Sequence, residues 1–315
     1  MQEYHIRKYT DTDKTIWDTF VDSAKNGTFL FKRDFMEYHS DRFEDYSLLV
    51  FNKKENLVAI IPANKKGNVL HSHQGLTYGG IIIKGNLKAN SIEKVIIELI
   101  THLKSIQISN FRLKTSIDYY NLKSDNEIDY FLFKMGATIQ NLEMNLAIPL
   151  NKNYKISKSK LKHFRRICNT SISFTEEKCF KSFWENVLIP RLQKKHNSSP
   201  LHSLKEIEYL AKKFPSNIKQ YSVYFNDKIV AGITLFETKH VVKSQYGATT
   251  EEGEKLRALD YLTIKLTEKF KQEGKAYYDM GTVTKANSYN HGLLQQKEEL
   301  GCSIYNQKIY DLKIS

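Results

Sequence analysis

The chain has 315 residues, 26% of them charged and 41% hydrophobic, and 48 Lys and Arg against 35 Asp and Glu give a net charge of +13. That length holds two domains of ordinary size, and the mixture is globular rather than disordered. No apolar run approaches the roughly 20 residues that span a bilayer, the N-terminal MQEYHIRKYTDTDK has no apolar signal segment, and three cysteines without CxxC spacing point to reduced thiols in a cytoplasm. The positive charge concentrates anions such as nucleotides, coenzyme A or tRNA. It is also what an Asn-, Ile- and Lys-rich composition leaves on solvated faces.

The pattern predicts a helix over 10–26, with Ile16, Trp17, Phe20 and Val21 on one face, and a short helix over 30–39. Strands over 46–51 and 57–62 flank the turn NKKEN, a hairpin signal. Further strands are expected at 68–71, 79–83 and 111–115, with helices over 91–107, capped by Ser91, and 124–135. Residues 137–149 close this half. Polar, lysine-rich LNKNYKISKSK at 150–160 reads as a connection, dividing the chain into 1–150 and 151–315. A basic helix over 158–168, a strand at 172–175 and helices over 177–195 and 203–213 follow, the last opened by a Ser203/Glu206 capping box. A hairpin (218–225, 229–237), a strand (241–247), a helix (254–272), a strand (276–280), a helix (291–300) and a last strand (303–314) complete the chain. The halves repeat one order, a strand meander and then helix, strand, helix, strand. This is an α/β (α+β) layer arrangement.

The stretch VVKSQYGATTEEGEKLRALD at 241–260 reads as strand, turn and helix start. A helix start leaves backbone N–H groups unsatisfied at the positive end of its dipole, so it can hold a phosphate. The turn 249–258 is therefore a candidate grip for the pyrophosphate of an acyl-coenzyme A. The plain alternative is a connection capped by Thr249 or Thr250.

Three stretches carry a family resemblance: Tyr246 to Gly253 (YGATTEEG), Tyr277 to Gly281 (YYDMG) and Gly292 to Gly301 (GLLQQKEELG). The second half resembles the GNAT acyltransferase fold, and the whole chain is similar to the tandem-GNAT proteins of the Fem-type family. Phe29 to Arg42 and SHQGLTYGG at 72–80 look like a subgroup associated with surface polysaccharides. The resemblance implies two GNAT-like domains, each a mixed, mainly antiparallel sheet flanked by helices. The second would use acyl-CoA, acetyl-CoA first, and the first would shape the acceptor site. Family members usually carry Gln/Arg-x-x-Gly-x-Gly/Ala at the pyrophosphate loop; here Gly247 and Gly253 precede Arg257-Ala258. The long helical-hairpin arm of many Fem-type enzymes is absent.

The implied reaction brings an acyl thioester and an amine into register, polarises the carbonyl with a strand amide near Ser244 to Gly247 and takes a proton from the amine. Candidates for acid–base work are Asp279, His73, His202 and Tyr246. Gln245, Gly247, Thr249, Thr250, Gly253 and Arg257 are expected at the coenzyme. His71, Gln74, Tyr78, His196, Asn290, His291 and Lys297 are expected at the acceptor. His71 and His73 share a strand face, but no Cys or acidic partner completes a metal set, so no metal is expected. The expected reaction is acyl transfer to the amine of an aminosugar or sugar nucleotide in surface polysaccharide synthesis. The alternatives are aminoacyl-tRNA-dependent transfer to a peptidoglycan precursor and a non-catalytic glycan-binding module.

Overall fold

The computed structural model describes residues 3–286 and 288–314, the side chain of His196 excepted. The chain divides into two compact units, Met1–Glu143 with Asn306–Ser315, and Met144–Tyr305. The division differs from 150/151 in one respect that matters. The end of the chain returns to the first unit, because Ser303–Lys313 pairs with Asn110–Lys114, Leu312 standing opposite Phe111.

The first unit has a sheet ordered Tyr4–Lys8, Leu48–Asn52, Leu57–Ile61, Ile82–Ile83, and a second in which Ser303–Lys313, Asn110–Lys114, Val69–His71, Asn64–Lys66 and Glu44–Asp45 are successive neighbours. The strand Tyr4–Lys8 was not anticipated; its polar sequence sends only Tyr4 into the core. The helix Ala89–Ser105 begins before Ser91, with Lys88 in the capping position, so Ser91 is not the cap. Its stripe Ile92, Val95, Ile96, Leu99 and Leu103 joins one core with Leu48, Val50, Ile61 and Phe111. Burying each such side chain contributes about 1.5–3 kcal/mol.

The second unit is a six-stranded sheet. We number its elements β1 (Thr138–Pro149, entering from the first unit), α1 (Lys158–Cys168), β2 (Ile172–Glu177), α2 (Leu204–Lys213), β3 (Ile218–Phe225), β4 (Lys228–Glu237), β5 (Val241–Thr249), α3 (Glu251–Leu256), α4 (Ala258–Gln272), β6 (Tyr277–Thr282) and α5 (His291–Glu299). The strand order is β2-β3-β4-β5-β6-β1, antiparallel except for β5 with β6. Tyr261, Leu262, Leu266 and Phe270 of α4 share a core with Tyr221, Val230, Val242 and Tyr278 of the sheet.

Two helices differ from expectation. The helix over 254–272 is two, α3 and α4, broken at Arg257 with φ +57°. The helix over 177–195 carries a π turn at Trp184–Leu188, between Lys181–Phe183 and Ile189–His196. Pro190 accounts for it: proline cannot donate to the preceding turn and its ring crowds the carbonyl there, so the helix widens.

Two buried titratable groups of the first unit respond to acid in opposite senses. His73 is held down to about 3 by burial and then by His39, whose ring lies 5.3 Å away. Asp125 accepts from Asn26 and Asn121 and is pushed up to about 6 by burial. From pH 6 to 4 the unfolded chain binds a proton at His73 that the fold refuses, which costs stability. Over the same window the fold keeps a proton on Asp125 that the unfolded chain releases, which adds it. Urea unfolding at pH 6, 5 and 4 should therefore separate two variants. Asp125→Asn, left with His73, should lose stability on acidification while His73→Leu, left with Asp125, gains it, so the two slopes should differ by up to about 2.7 kcal/mol per pH unit; parallel slopes would contradict the assignment.

Candidate active site

β5 and β6 pair for three residues, Val241↔Tyr277 to Lys243↔Asp279, and then part. β5 stays with β4 as far as Thr249. It carries an extra residue, Gln245, between Ser244 (opposite Leu235) and Tyr246 (opposite Thr234). β6 stays with β1 and carries Met280 as its extra residue between Asp279 and Gly281. A bulge bends and twists its strand, and here two bulges at one level turn the strands apart. The edge of β5 from Ser244 to Gly247 that faced β6 is thereby freed of a strand partner.

Asp279 closes the apex of that opening. It is 1% exposed and accepts hydrogen bonds from Asn145 Nδ2 (2.8 Å) and the Gly281 amide (2.7 Å), with Lys243 Nζ at 3.4 Å. Gly281 has φ +78°, a conformation that strains any residue with a side chain. The Lys297 ammonium, also buried, donates to the carbonyls of Gly281 (2.9 Å) and Thr282 (3.3 Å) and is pushed down to about 8, chiefly by burial. Asp279 and Lys297 thus hold the end of β6. Asp279 and Lys297, expected as base and substrate cation, are both hydrogen-bonded inside the unit.

At the bulge, Tyr246 Oη lies 2.5 Å from His202 Nδ1 and accepts from the His202 amide at 3.2 Å. Since that amide already donates to the oxygen, we assign the phenol proton toward Nδ1, which places the imidazole proton on Nε2. Burial pushes the Tyr246 hydroxyl up to about 12. The Trp184 ring meets Tyr246 edge-on at 5.2 Å. Two expected acid–base residues are therefore brought together 44 positions apart in sequence. Trp184, Lys243 and Asn145 were not singled out. Pro190, six residues after Trp184 in WENVLIP, is the signal that marks the first.

The turn after β5 serves the protein's own fold. Thr250 Oγ1 accepts the Gly253 amide (3.0 Å) as N-cap of α3, and Thr249 Oγ1 donates to the Val230 carbonyl (3.0 Å). A Cβ on Gly253 would stand 2.2 Å from the Val230 oxygen. Glu251, Glu252 and Glu254 crowd the first turn of α3, Glu251 pairing with Lys194 and Glu254 with Arg191 and Lys195. Thr249, Thr250 and Gly253, expected at the coenzyme, thus make contacts within the fold, and three carboxylates crowd the start of α3. The start of α4 is different. It has no side-chain cap, it follows the exposed Arg257, and Arg257, Arg166 and Lys162 all bear electrostatically on His163. Its first-turn Asp260 is neutralised by the buried Lys160 at 2.6 Å. Leu259 of that turn would lie 3.8 Å from a Cβ on Gly247, which is exposed beside the bulge.

Other expected residues lie elsewhere or are engaged. In the first unit, His71 is half-buried on Val69–His71, His73 sits buried at φ +63°, and Gln74 exchanges two hydrogen bonds with Asn64. Tyr78 is core and donates to Thr28. Asn290 caps α5 by accepting the Leu293 amide, and exposed His291 packs on Tyr289 at 4.2 Å. Gln74, Tyr78 and Asn290, expected at the acceptor, thus each make hydrogen bonds within the chain. The side chain of His196 lies outside the described residues. Among the described residues no group of three His, Cys, Asp or Glu side chains could hold a metal, and no helix is long and apolar enough to cross a membrane.

No family model matches the chain, and no curated protein matches it in sequence. Solved structures do match. FemX is similar with a TM-score of 0.69 at 11% identity, over 98% of this chain and 97% of that one. L-PGS from Bacillus licheniformis is similar at 0.59 and 14% identity, over 85% and 83%. A tandem GNAT protein from the clavulanic acid biosynthesis pathway is similar at 0.54 and 9% identity, over 99% of both chains. At such identities the likeness is one of fold: two tandem GNAT-like domains, the fold of Fem-type and GNAT acyltransferases.

Two glycines of the site should behave oppositely on substitution. Gly253→Ala should cost about 1–3 kcal/mol, the price of overpacking against the Val230 carbonyl. Gly247→Ala, whose Cβ would meet nothing nearer than 3.7 Å, should fall within about 0.5 kcal/mol of the parent in chemical denaturation.

Proposed function

We propose that the chain is an N-acyltransferase that moves an acetyl group from acetyl-CoA to the amine of an aminosugar, carried as a sugar nucleotide, in surface polysaccharide synthesis. The observation that carries the reading is the parting of β5 from β6 beside the Tyr246–His202 pair. A strand edge with unspent amides accepts an extended chain by β-type hydrogen bonding, which suits the amide-bearing arm of coenzyme A. The uncapped start of α4 with Arg257 suits its pyrophosphate. An amide of Ser244 to Gly247 takes the developing oxyanion. The amine forms the new C–N bond, the C–S bond breaks, and the amine's proton passes through Tyr246 to His202 and on to the departing thiolate.

A second reading has a specific observation behind it. Lys158, Lys162, Arg165 and Arg166 of α1 are exposed, a basic face suited to a tRNA carrying an aminoacyl donor, and the likeness to FemX spans nearly the whole chain. Lys160, expected on that face, is instead turned inward to Asp260. A glycan-binding module without catalysis remains the third outcome.

Acetyl-CoA at a hundred times its Kd should add about 2.7 kcal/mol of stability, a rise in melting temperature of roughly 5–10 °C for a unit of this size. A rise with tRNA and none with any CoA would transfer the assignment to the second reading. Tyr246→Phe should lower kcat by about 10²-fold while leaving acetyl-CoA affinity within about twofold. Unchanged turnover would remove the relay from the mechanism.

A further inference from the structure

The most informative groups left over are two buried polar atoms beside Tyr246. The Trp184 indole N–H is completely buried, and neither it nor the Gln245 amide oxygen has a hydrogen-bond partner among the described residues. Leaving a buried donor or acceptor unpaired costs stability, and such groups are few in folded proteins. A phenylalanine and a leucine at these positions would carry no unpaired polar atom. Both groups sit where the backbone departs from regular structure, Trp184 at the head of the π turn and Gln245 as the extra residue of β5. Both flank one side chain: the Trp184 ring meets Tyr246 at 5.2 Å, and Gln245 is its neighbour on β5. Gln245 and Tyr246 are only half-buried, so the cluster is open to solvent on one side.

We infer that Trp184 and Gln245 form the recognition wall of an acceptor pocket for a primary amine bearing an oxygen acceptor on the neighbouring carbon. The indole N–H donates to that oxygen and the amide oxygen of Gln245 accepts from the amine, which sets the nitrogen beside Tyr246 and His202. Gln245 thereby moves from the coenzyme, where the sequence placed it, to the acceptor. The inference rests on the acyltransferase reading and deepens it. Two sources supply this chemistry, a 2-aminosugar with its adjacent hydroxyls and an α-amino carbonyl compound.

Calorimetric titration of the intact chain, saturated with coenzyme A, tests the pocket with three probes: glucosamine, glycinamide and cyclohexylamine, the last lacking the oxygen. The parent chain should bind glucosamine or glycinamide at least tenfold more tightly than cyclohexylamine, and the tighter of the two names the source. Trp184→Phe keeps the ring and loses the N–H. It should erase the tenfold preference while leaving coenzyme A affinity unchanged. Gln245→Met should weaken all three amines by tenfold or more. Equal binding of the three probes by the parent, no binding of any, or an intact preference in Trp184→Phe would overturn the inference. Coenzyme A binding is measured separately by equilibrium dialysis. Its absence with the amine preference intact would defeat the acyl-CoA reading and leave the pocket standing.

Discussion

The carboxylate of Asp279 sits at the point where a sheet stops being a sheet. Two parallel strands that begin in register give up their ladder after three residues, and each lost pairing exposes backbone groups that must find another partner. The Lys243 ammonium, the Asn145 amide and the Gly281 N–H converge on Asp279 at that level, and Lys297 ties down the carbonyls that follow. A buried carboxylate is tolerable only when paired and hydrogen-bonded, and this one is both. The brace gives the opening a fixed apex, so that the edge of β5 beyond it remains available rather than closing back on β6.

What the opening presents follows from that geometry. The bulge at Gln245 sets Tyr246 against His202 on one side and leaves Gly247 bare beside the start of α4. Arg257, in the left-handed region, ends α3 and starts α4 in a single residue, so the second helix begins without a cap near a group of cations. The acidic, capped helix and the uncapped one thus have divided labour. The first fixes the turn through Thr250 and Gly253, and the second begins without a side-chain cap.

Much of this was legible in the chain. The α/β order, both hairpins, α1 and the Ser203/Glu206 capping box follow from hydrophobic period and turn chemistry, which are local signals. The strand, turn and helix start within 241–260 are local signals, whereas the break at Arg257 that makes two helices of one is not. The glycine at 253 looked like room for a phosphate and is room for the Val230 carbonyl, a contact between distant parts of the chain that no local pattern shows. Lys297 read as a solvated helix lysine or a phosphate ligand for the same reason, since its partners lie 15 and 16 residues earlier on β6. Pairings such as Tyr246 with His202 depend on the sheet being assembled. The residue types could be listed from sequence, and their meeting could not.

The central claim is that the freed edge of β5 and the start of α4 receive one extended, phosphorylated ligand together. Backbone hydrogen exchange with and without saturating acetyl-CoA reads both at once, because an amide that gains an acceptor exchanges more slowly. The account predicts slower exchange at Ser244–Gly247 and at 258–260, with 251–253 of α3 unchanged. Bound ligand with protection confined to α3, or to neither segment, would contradict it.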